Sequence, residues 1–235
     1  MSARSTGSAP PAADLQAVVF DCDGVLVDSE RITNGVIAAM LCEQGLQIDT
    51  EGSMAMFMGR TVMELLPDIE QLIGKSLPEN WYSEFLRRRD EGLREKVEPI
   101  VGIEPLVAHL QANSVPYAVA SGADRPKMHL TLGKCGLLPL FEPVLFGRDM
   151  VAQGKPAPDV YQLAINTLGV DAARTIVIED TTTGTTAGVA AGAVVYGYAA
   201  MNNADALLAA GASRVFTAMD QLPELLADTA LFEPA

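Results

Sequence analysis

The chain has 235 residues and a formal net charge of −14 at pH 7, from 30 acidic and 16 basic side chains. This charge disfavours nucleic acid or an anionic membrane surface as a partner, because both require a positive field. Hydrophobic residues make up 49% of the chain and charged residues 20%, which excludes disorder over most of its length. No apolar run approaches the ~18 residues that a bilayer-spanning helix requires.

The cysteines indicate a reducing compartment. Cys22, Cys42 and Cys135 are odd in number and lack CxxC or Cys/His spacing, so they predict neither a disulfide framework nor a zinc site. Residues 1–15 are small, polar and proline-bearing without an apolar core, which predicts a flexible tail rather than a secretory signal. We therefore expect a cytoplasmic protein.

From Gln16 onward, short β-branched runs alternate with longer amphipathic segments, a pattern typical of a parallel sheet covered by helices on both faces. The predicted strands are Ala17–Phe20, Pro116–Ala120, Pro143–Phe146, Thr175–Ile178, Ala193–Tyr198 and Arg214–Phe216. The helices predicted between them are Gly102–Ser114, Asp124–Leu137, Pro158–Leu168 and Thr183–Ala191. The fold class is therefore α/β.

A long helical stretch interrupts this alternation after the first strand. Its predicted helices are Ser29–Leu46, with Asp28 as the N-cap, Thr61–Ile73 and Asn80–Val97. We predict a helical cap at residues 29–96, inserted into a core formed by residues 16–28 and 97–235. The cap is expected to lie over the carboxyl ends of the strands, where open α/β sheets bind ligands.

The segment FDCDGVLVDSE follows the first strand directly. Asp21 ends the strand, and Asp23 follows it on a turn that Gly24 permits. Two such carboxylates suit nucleophilic and acid/base roles. The alternative is an ordinary turn or a calcium loop, but the spacing of an EF-hand is not met.

Four segments together resemble the haloacid dehalogenase superfamily, whose phosphohydrolases form an aspartyl-phosphate. DxDGxxxDS resembles its first motif, Ser121 after PYAVA its second, Lys155 in GKPAPD its third, and Glu179–Asp180 in IEDTTTG its fourth. Thr181 stands where serine is common, so a hydroxyl is kept. The resemblance implies a doubly wound, Rossmann-like parallel sheet with an inserted cap.

The resemblance also implies roles for these residues. Asp21 is the implied nucleophile and Asp23 the acid/base. Ser121, Gly122 and Lys155 are expected to bind the phosphoryl group. The implied cofactor is Mg²⁺, held by Asp21, Asp180, the backbone carbonyl of Asp23 and a water-linked Glu179. Taken singly, Ser121 also fits a plain Ser-Gly turn and Lys155 a solvated loop.

A helical cap after the first motif is similar to the C1 caps of β-phosphoglucomutase-like phosphatases and mutases. The segments KMHLTLGKCGLLPLF and DQLPELL resemble, loosely, a bacterial subgroup that contains a 6-phosphogluconate phosphatase. We expect the loop Met58–Glu64 to face the substrate, with Arg60 either binding it or solvated. Trp81, Tyr82 and Phe85 are expected to pack inside the cap, and Arg87–Arg89 to form a solvated face.

The expected function is Mg²⁺-dependent removal of phosphate from a small phosphorylated metabolite, a sugar or sugar-acid phosphate. A phosphomutase is the first alternative, disfavoured because Val62 and Ala123–Arg125 stand where the mutase pattern has its phosphate-binding residues. A dehalogenase is disfavoured because Asp23 is present.

A non-enzymatic binding protein on the same fold is the second alternative. We expect a monomer, with a homodimer as the other possibility.

Overall fold

The computed structural model describes residues 16–57 and 62–227, and within these ranges six strands form one parallel sheet. The strands are β1 (Ala17–Phe20), β2 (Tyr117–Ala120), β3 (Leu145–Phe146), β4 (Thr175–Glu179), β5 (Val194–Tyr198) and β6 (Arg214–Phe216). Their order across the sheet is β3-β2-β1-β4-β5-β6. The predicted α/β fold with a doubly wound parallel sheet is confirmed. Five of these six strands begin and end within one residue of their predicted bounds, and β3 begins two residues later than predicted.

Helices cover both faces of this sheet and also fill the stretch between β1 and β2. They are α1 (Glu30–Glu43), α2 (Thr50–Phe57), α3 (Val62–Ile73), α4 (Trp81–Lys96), α5 (Ile103–Ala112), α6 (Arg125–Lys134), α7 (Leu138–Phe141), α8 (Asp159–Leu168), α9 (Thr182–Ala190), α10 (Ala204–Ala209) and α11 (Leu222–Ala227). Asp28 was wrongly predicted as the N-cap of the first helix. Ser29 occupies that position, and its hydroxyl donates to Asp23 instead of capping the helix.

The central strands β1 and β4 are buried on both faces, as continuous apolar runs predict. Val18 and Phe20 of β1 belong to one hydrophobic core, which α5 and α6 help to build. Val19 belongs to a second core on the opposite face, with residues of α8 and α9. Cys22 lies in the first core, and all three cysteines are free.

The helices α1–α4, which we call the cap, have a hydrophobic core of their own. It is built from residues of all four helices: Ile37, Met40, Leu41, Phe57, Leu65, Ile69, Trp81 and Phe85. Tyr82 packs against it, so the predicted packing of the cap aromatics is confirmed. We propose residues 29–96 as the cap and residues 16–28 with 97–235 as the core domain. Residues 1–15, predicted to be a tail, lie outside the described residues.

The strand order places a crevice at the centre of the sheet. The chain proceeds from β1 through β2 to β3 on one side and from β4 to β6 on the other, so the winding direction reverses between β1 and β4. Ligands of open α/β sheets bind at such a reversal, outside the carboxyl ends of the strands. In the described part of the chain, no helix combines the length and apolarity needed to cross a membrane.

Candidate active site

The predicted site residues meet at the carboxyl ends of the three central strands. Asp21 follows β1, Ser121 follows β2, and Glu179 ends β4 with Asp180 next to it. These four side chains are all buried. All but Asp180 line a cavity of about 1250 Å³, whose other wall is formed by cap residues of α1, α3 and α4. Lys155 lines it as well, so the structure brings the motifs together around one space.

Lys155 is the electrostatic centre of this group. Its Nζ donates to Asp21 Oδ1 at 2.6 Å, to Glu179 Oε1 at 2.7 Å and to the Tyr161 hydroxyl at 2.8 Å. Only 8% of the side chain is exposed. Burial by itself would lower the pKa of Lys155, but the charges of Asp21 and Glu179 outweigh it, and the pKa lies above its ordinary value. The alternative of a solvated loop lysine is thereby excluded.

Tyr161 joins the site without having been predicted there. Its hydroxyl donates to Glu179 Oε1 at 2.9 Å, and its ring lies under the Lys155 ammonium, 4.5 Å from Nζ to the ring centroid. Burial and the nearby carboxylate of Glu179 raise the pKa of Tyr161 well above its ordinary value, so it remains a hydrogen-bond donor. Tyr161 lies in the first turn of α8, the end of the helix that is next to the carboxyl ends of the strands.

Glu179 has both carboxylate oxygens engaged. Oε1 accepts from Lys155 and Tyr161, and Oε2 accepts from the backbone N and the Oγ1 of Thr181, each at 2.9 Å. Thr181 is also the N-cap of α9, where its Oγ1 accepts from the backbone N of Gly184 at 3.0 Å. A Cβ at Gly184 would overlap the Glu179 carboxylate, so glycine lets α9 approach it. The hydroxyl kept at position 181 is therefore used.

Asp180 carries an oxygen without a partner. Its Oδ2 accepts from Asn202 Nδ2 at 3.2 Å, whereas its buried Oδ1 has no hydrogen-bond partner among the described residues. Burial, with the charges of Glu179 and Asp21, raises the pKa of Asp180 well above its ordinary value. Gly24, at φ +80°, permits this arrangement, because a Cβ there would overlap Oδ2.

The surroundings of Asp180 fit a hard divalent cation. Burial raises the pKa of Asp21 to about 7, with Lys155 opposing and Glu179 and Asp23 adding to the rise. One lysine therefore does not neutralise the carboxylates gathered here, and the orphaned oxygen is the kind of ligand that Mg²⁺ prefers. No group of three or more His, Cys, Asp or Glu side chains in residues 16–57 and 62–227 is arranged to hold a metal alone. The predicted set needs only Asp21 and Asp180 as direct side-chain ligands.

Asp23 is held from two sides. Ser29 Oγ donates to its Oδ1 at 2.5 Å and Lys127 Nζ to its Oδ2 at 2.8 Å. Burial would raise the pKa of Asp23, but the charge and hydrogen bond of Lys127 and the hydrogen bond of Ser29 outweigh it, and the pKa is lowered. Asp23 is thus fixed in position at the cavity wall by contacts that favour its ionised form. Lys127 was not predicted as a site residue.

Ser121 and Gly122 occupy the loop between β2 and α6. The backbone N of Ser121 donates to Phe146 O at 2.9 Å, and its Oγ accepts from the backbone N of Ala123 at 3.1 Å. This fixes the hydroxyl oxygen while leaving its hydrogen to donate elsewhere. Both residues line the cavity, and their predicted contacts to a phosphoryl group stay predictions.

Arg89 of the cap was wrongly predicted to be solvated. Arg87 is 54% exposed and pairs with Glu84 and Glu91, as a solvated face requires. Arg89 is only 16% exposed and lines the cavity. Because successive residues of a helix point 100° apart, Arg89 points to a different face of α4 from Arg87. Arg60 and the loop residues Met58–Thr61 lie outside the described residues, so their predicted contact with substrate stays a prediction.

Comparison with known proteins gives a consistent family. Residues 18–198 match the model of the haloacid dehalogenase-like hydrolases. A 6-phosphogluconate phosphatase from Escherichia coli is 31% identical over 217 residues, which are 90% of this chain and 94% of that protein. A phosphorylated carbohydrates phosphatase from Thermotoga maritima is 29% identical over 201 residues, 84% of this chain and 92% of that protein.

A solved structure agrees with these matches. The crystal structure of a HAD family hydrolase from Deinococcus radiodurans R1, with bound phosphate and sodium, superimposes with a TM-score of 0.82 at 35% identity. The superposition covers 95% of this chain and 100% of that one. The similarity thus extends over cap and core together.

Proposed function

The chain belongs to the haloacid dehalogenase-like hydrolases and is a phosphoric monoester hydrolase, and from this premise we propose that it removes phosphate from a sugar or sugar-acid monophosphate through an aspartyl-phosphate. One observation carries the proposal: Asp21, Ser121, Lys155 and Glu179, each from a different motif, line the same cavity. No catalytic position of the four motifs is substituted. This disfavours the alternative of a non-enzymatic binding protein on the same fold.

Asp21 is the proposed nucleophile. Its carboxylate attacks phosphorus, and the bond from phosphorus to the leaving oxygen breaks as the aspartyl-phosphate forms. Lys155 supports this role because its 2.6 Å bond to Oδ1 fixes the carboxylate and its charge favours the ionised form. Ser121 and Lys155 would then hold the phosphoryl oxygens as negative charge spreads over them.

Asp23 is the proposed acid/base. In its protonated form it gives a proton to the leaving alkoxide, and as a carboxylate it then takes one from the water that hydrolyses the aspartyl-phosphate, so each turnover returns the proton to Asp23. The hydrogen bonds from Ser29 and Lys127 support this role, because they fix the carboxylate beside the cavity in the ionised form that the second step needs.

Mg²⁺ is the proposed cofactor, held by Asp21, Asp180, the backbone carbonyl of Asp23 and, through water, Glu179. When bound, it supplies positive charge against the phosphate dianion and the carboxylates. The unpartnered Oδ1 of Asp180 and the raised pKa of Asp21 support this assignment. The reducing cytoplasm is the proposed location, in keeping with three free cysteines, and a monomer is the proposed state.

Phosphate release tests the proposed function. With Mg²⁺ present, we expect inorganic phosphate to appear in a 1:1 ratio with loss of a hexose, pentose or sugar-acid monophosphate, without any bisphosphate activator. Chelation with EDTA should reduce the rate at least about 100-fold, because the buried carboxylates then repel the substrate. Ca²⁺, which is larger than Mg²⁺ and accepts irregular coordination, should not restore the rate.

Two results would contradict this. Full activity after chelation would exclude the metal from the mechanism. Isomerised sugar phosphate without phosphate release, in the presence of a bisphosphate primer, would favour the phosphomutase.

The substitution Asp23→Asn tests the acid/base role, because it removes the transferable proton and keeps the backbone carbonyl. We expect kcat/KM for a sugar phosphate to fall about 10² to 10⁴-fold, the usual contribution of a general acid. For p-nitrophenyl phosphate the fall should be much smaller, since that leaving group departs without protonation. Comparing the two substrates on one enzyme preparation removes differences in folding. Equal losses for both would refute the assignment.

A further inference from the structure

Two buried cations on opposite walls of the cavity lie outside the four motifs. Lys127 belongs to α6 of the core and is 13% exposed, and Arg89 belongs to cap helix α4 and is 16% exposed. Both line the cavity. The Arg89 guanidinium is close enough to act electrostatically on both Lys127 and Asp23. Each pairs with one carboxylate, Lys127 with Asp23 and Arg89 with Asp90.

Lys127 and Arg89 have more N–H donors than their carboxylate partners use. Lys127 has three N–H groups and, among residues 16–57 and 62–227, donates one hydrogen bond, to Asp23. Arg89 has five N–H groups, of which Nε and Nη2 donate to Oδ1 of Asp90 at 2.9 and 2.7 Å in the described part of the chain. The Phe85 ring supports the guanidinium, 5.8 Å from Cζ to the ring centroid. Further donors from both walls remain for a ligand in the cavity.

The contact with Asp23 indicates which part of the substrate lies here. Lys155 binds the nucleophile Asp21, whereas Lys127 binds the acid/base Asp23, which must reach the leaving oxygen. The side of the cavity at Lys127 and Arg89 therefore receives the leaving group. A single negative charge fits there, because Asp23 and Asp90 already offset part of the charge of the two cations.

We propose that Lys127 and Arg89 bind a carboxylate on the leaving-group end of the substrate, so that phosphorylated sugar acids are the preferred class. This rests on the proposed phosphatase function. One cation comes from the core and one from the cap, so the carboxylate bridges the two walls of the cavity. Lys127 also positions Asp23, which makes Arg89 the residue whose replacement reports on the carboxylate alone.

The test uses two ligands that differ in one group. 6-Phosphogluconate and glucitol 6-phosphate share an open six-carbon chain and the phosphate, and differ by a carboxylate in place of a CH₂OH group. For the native protein we expect kcat/KM to favour the acid about tenfold or more, as a charge-assisted bidentate contact implies. Arg89→Met should abolish most of this preference by lowering the value for the acid, with less than about a threefold change for the alcohol.

Arg87→Met is the matched control, since Arg87 lies on the same helix, is exposed and pairs with Glu84 and Glu91. It should leave the preference unchanged. Arg89→Lys keeps the charge but loses the planar fork, so an intermediate preference is expected. A preference that survives Arg89→Met in folded protein would overturn the inference.

Binding separates this inference from the proposed function. Asp21→Asn protein cannot turn the ligands over, and calorimetry should show tighter binding of the acid, lost on adding either Arg89→Met or Lys127→Met. Tighter binding of glucitol 1,6-bisphosphate than of the acid would overturn the carboxylate assignment. Turnover of both monophosphates without preference overturns the inference alone, whereas preferential binding of the acid without turnover by native protein overturns the proposed function alone.

Discussion

Replacing Asp21 with asparagine is expected to eliminate phosphate release, with a loss in kcat of at least about 10⁴-fold, the order found when a covalent nucleophile is removed. Asparagine is nearly isosteric with aspartate but a far weaker nucleophile, and it loses a charge that the metal would bind. The loss should be large for both sugar and aryl phosphates, in contrast to Asp23→Asn, because both substrates require attack by the same carboxylate. Steady-state phosphate release with both substrates measures it.

The folded state of this variant should be intact. Asp21 is buried, and burial raises its pKa to about 7, so its ionised form destabilises the metal-free protein near and above neutral pH. The Asp21→Asn protein lacks this charge. Its melting temperature in EDTA at pH 8 should therefore not fall below that of the native protein. Asp205→Asn, an exposed change on α10, is the control and should keep full activity. Substantial residual turnover by Asp21→Asn would refute the nucleophile assignment.

Replacing Lys155 with methionine should reduce both activity and stability. Activity is expected to fall about 10³-fold, the order of removing one preorganised charge from a transition state. Stability should fall by about 3 kcal/mol, because Asp21 and Glu179 lose a buried counter-charge at 2.6 and 2.7 Å. The destabilisation should be larger at pH 8 than at pH 5, since Asp21, whose pKa burial raises to about 7, is protonated at pH 5 and no longer repels Glu179. Phosphate release and urea unfolding at the two pH values measure these effects.

Tyr161→Phe is the matched control for Lys155→Met. It removes one hydroxyl that bonds Lys155 and Glu179 but leaves the charges and the ring in place. We expect a loss of stability of about 1 kcal/mol, the usual net value of a hydrogen bond, and a much smaller loss of activity. If Lys155→Met retained native activity, the charge would have no part in the reaction.

The sheet was predictable because its strands are short apolar runs, and the central strands β1 and β4 are rich in β-branched residues and buried on both faces. Helix α2, Thr50–Phe57, was missed because its eight residues have no clear apolar face. Asp28 is a good candidate for an N-cap because aspartate is favoured there, yet the N-cap of α1 is Ser29, one residue later. Local propensity alone does not distinguish neighbouring cap positions.

The site was predictable only where sequence motifs mark it. Asp21, Ser121, Lys155 and Glu179 are set by strand ends and adjoining loops, so their convergence follows from the topology. Lys127 contacts Asp23 across 104 positions of sequence, and nothing local distinguishes it from an exposed helix lysine. Arg89 looks like the two arginines before it until the orientation of α4 is known. Such residues become evident only from which helix face the tertiary structure buries.

The separate hydrophobic core of the cap has a consequence for how such an enzyme changes over evolutionary time. The two chain crossings that join cap and sheet lie side by side, with the backbone N of Asp28 donating to Glu98 O at 2.9 Å. Substitutions among the residues of this cap core therefore remodel the wall opposite the nucleophile without disturbing the packing of the strands that carry it. Selection for a new metabolite and selection for a stable scaffold act on different sets of residues. A swap of this helical module between relatives is accordingly expected to transfer substrate choice while the reaction chemistry stays the same.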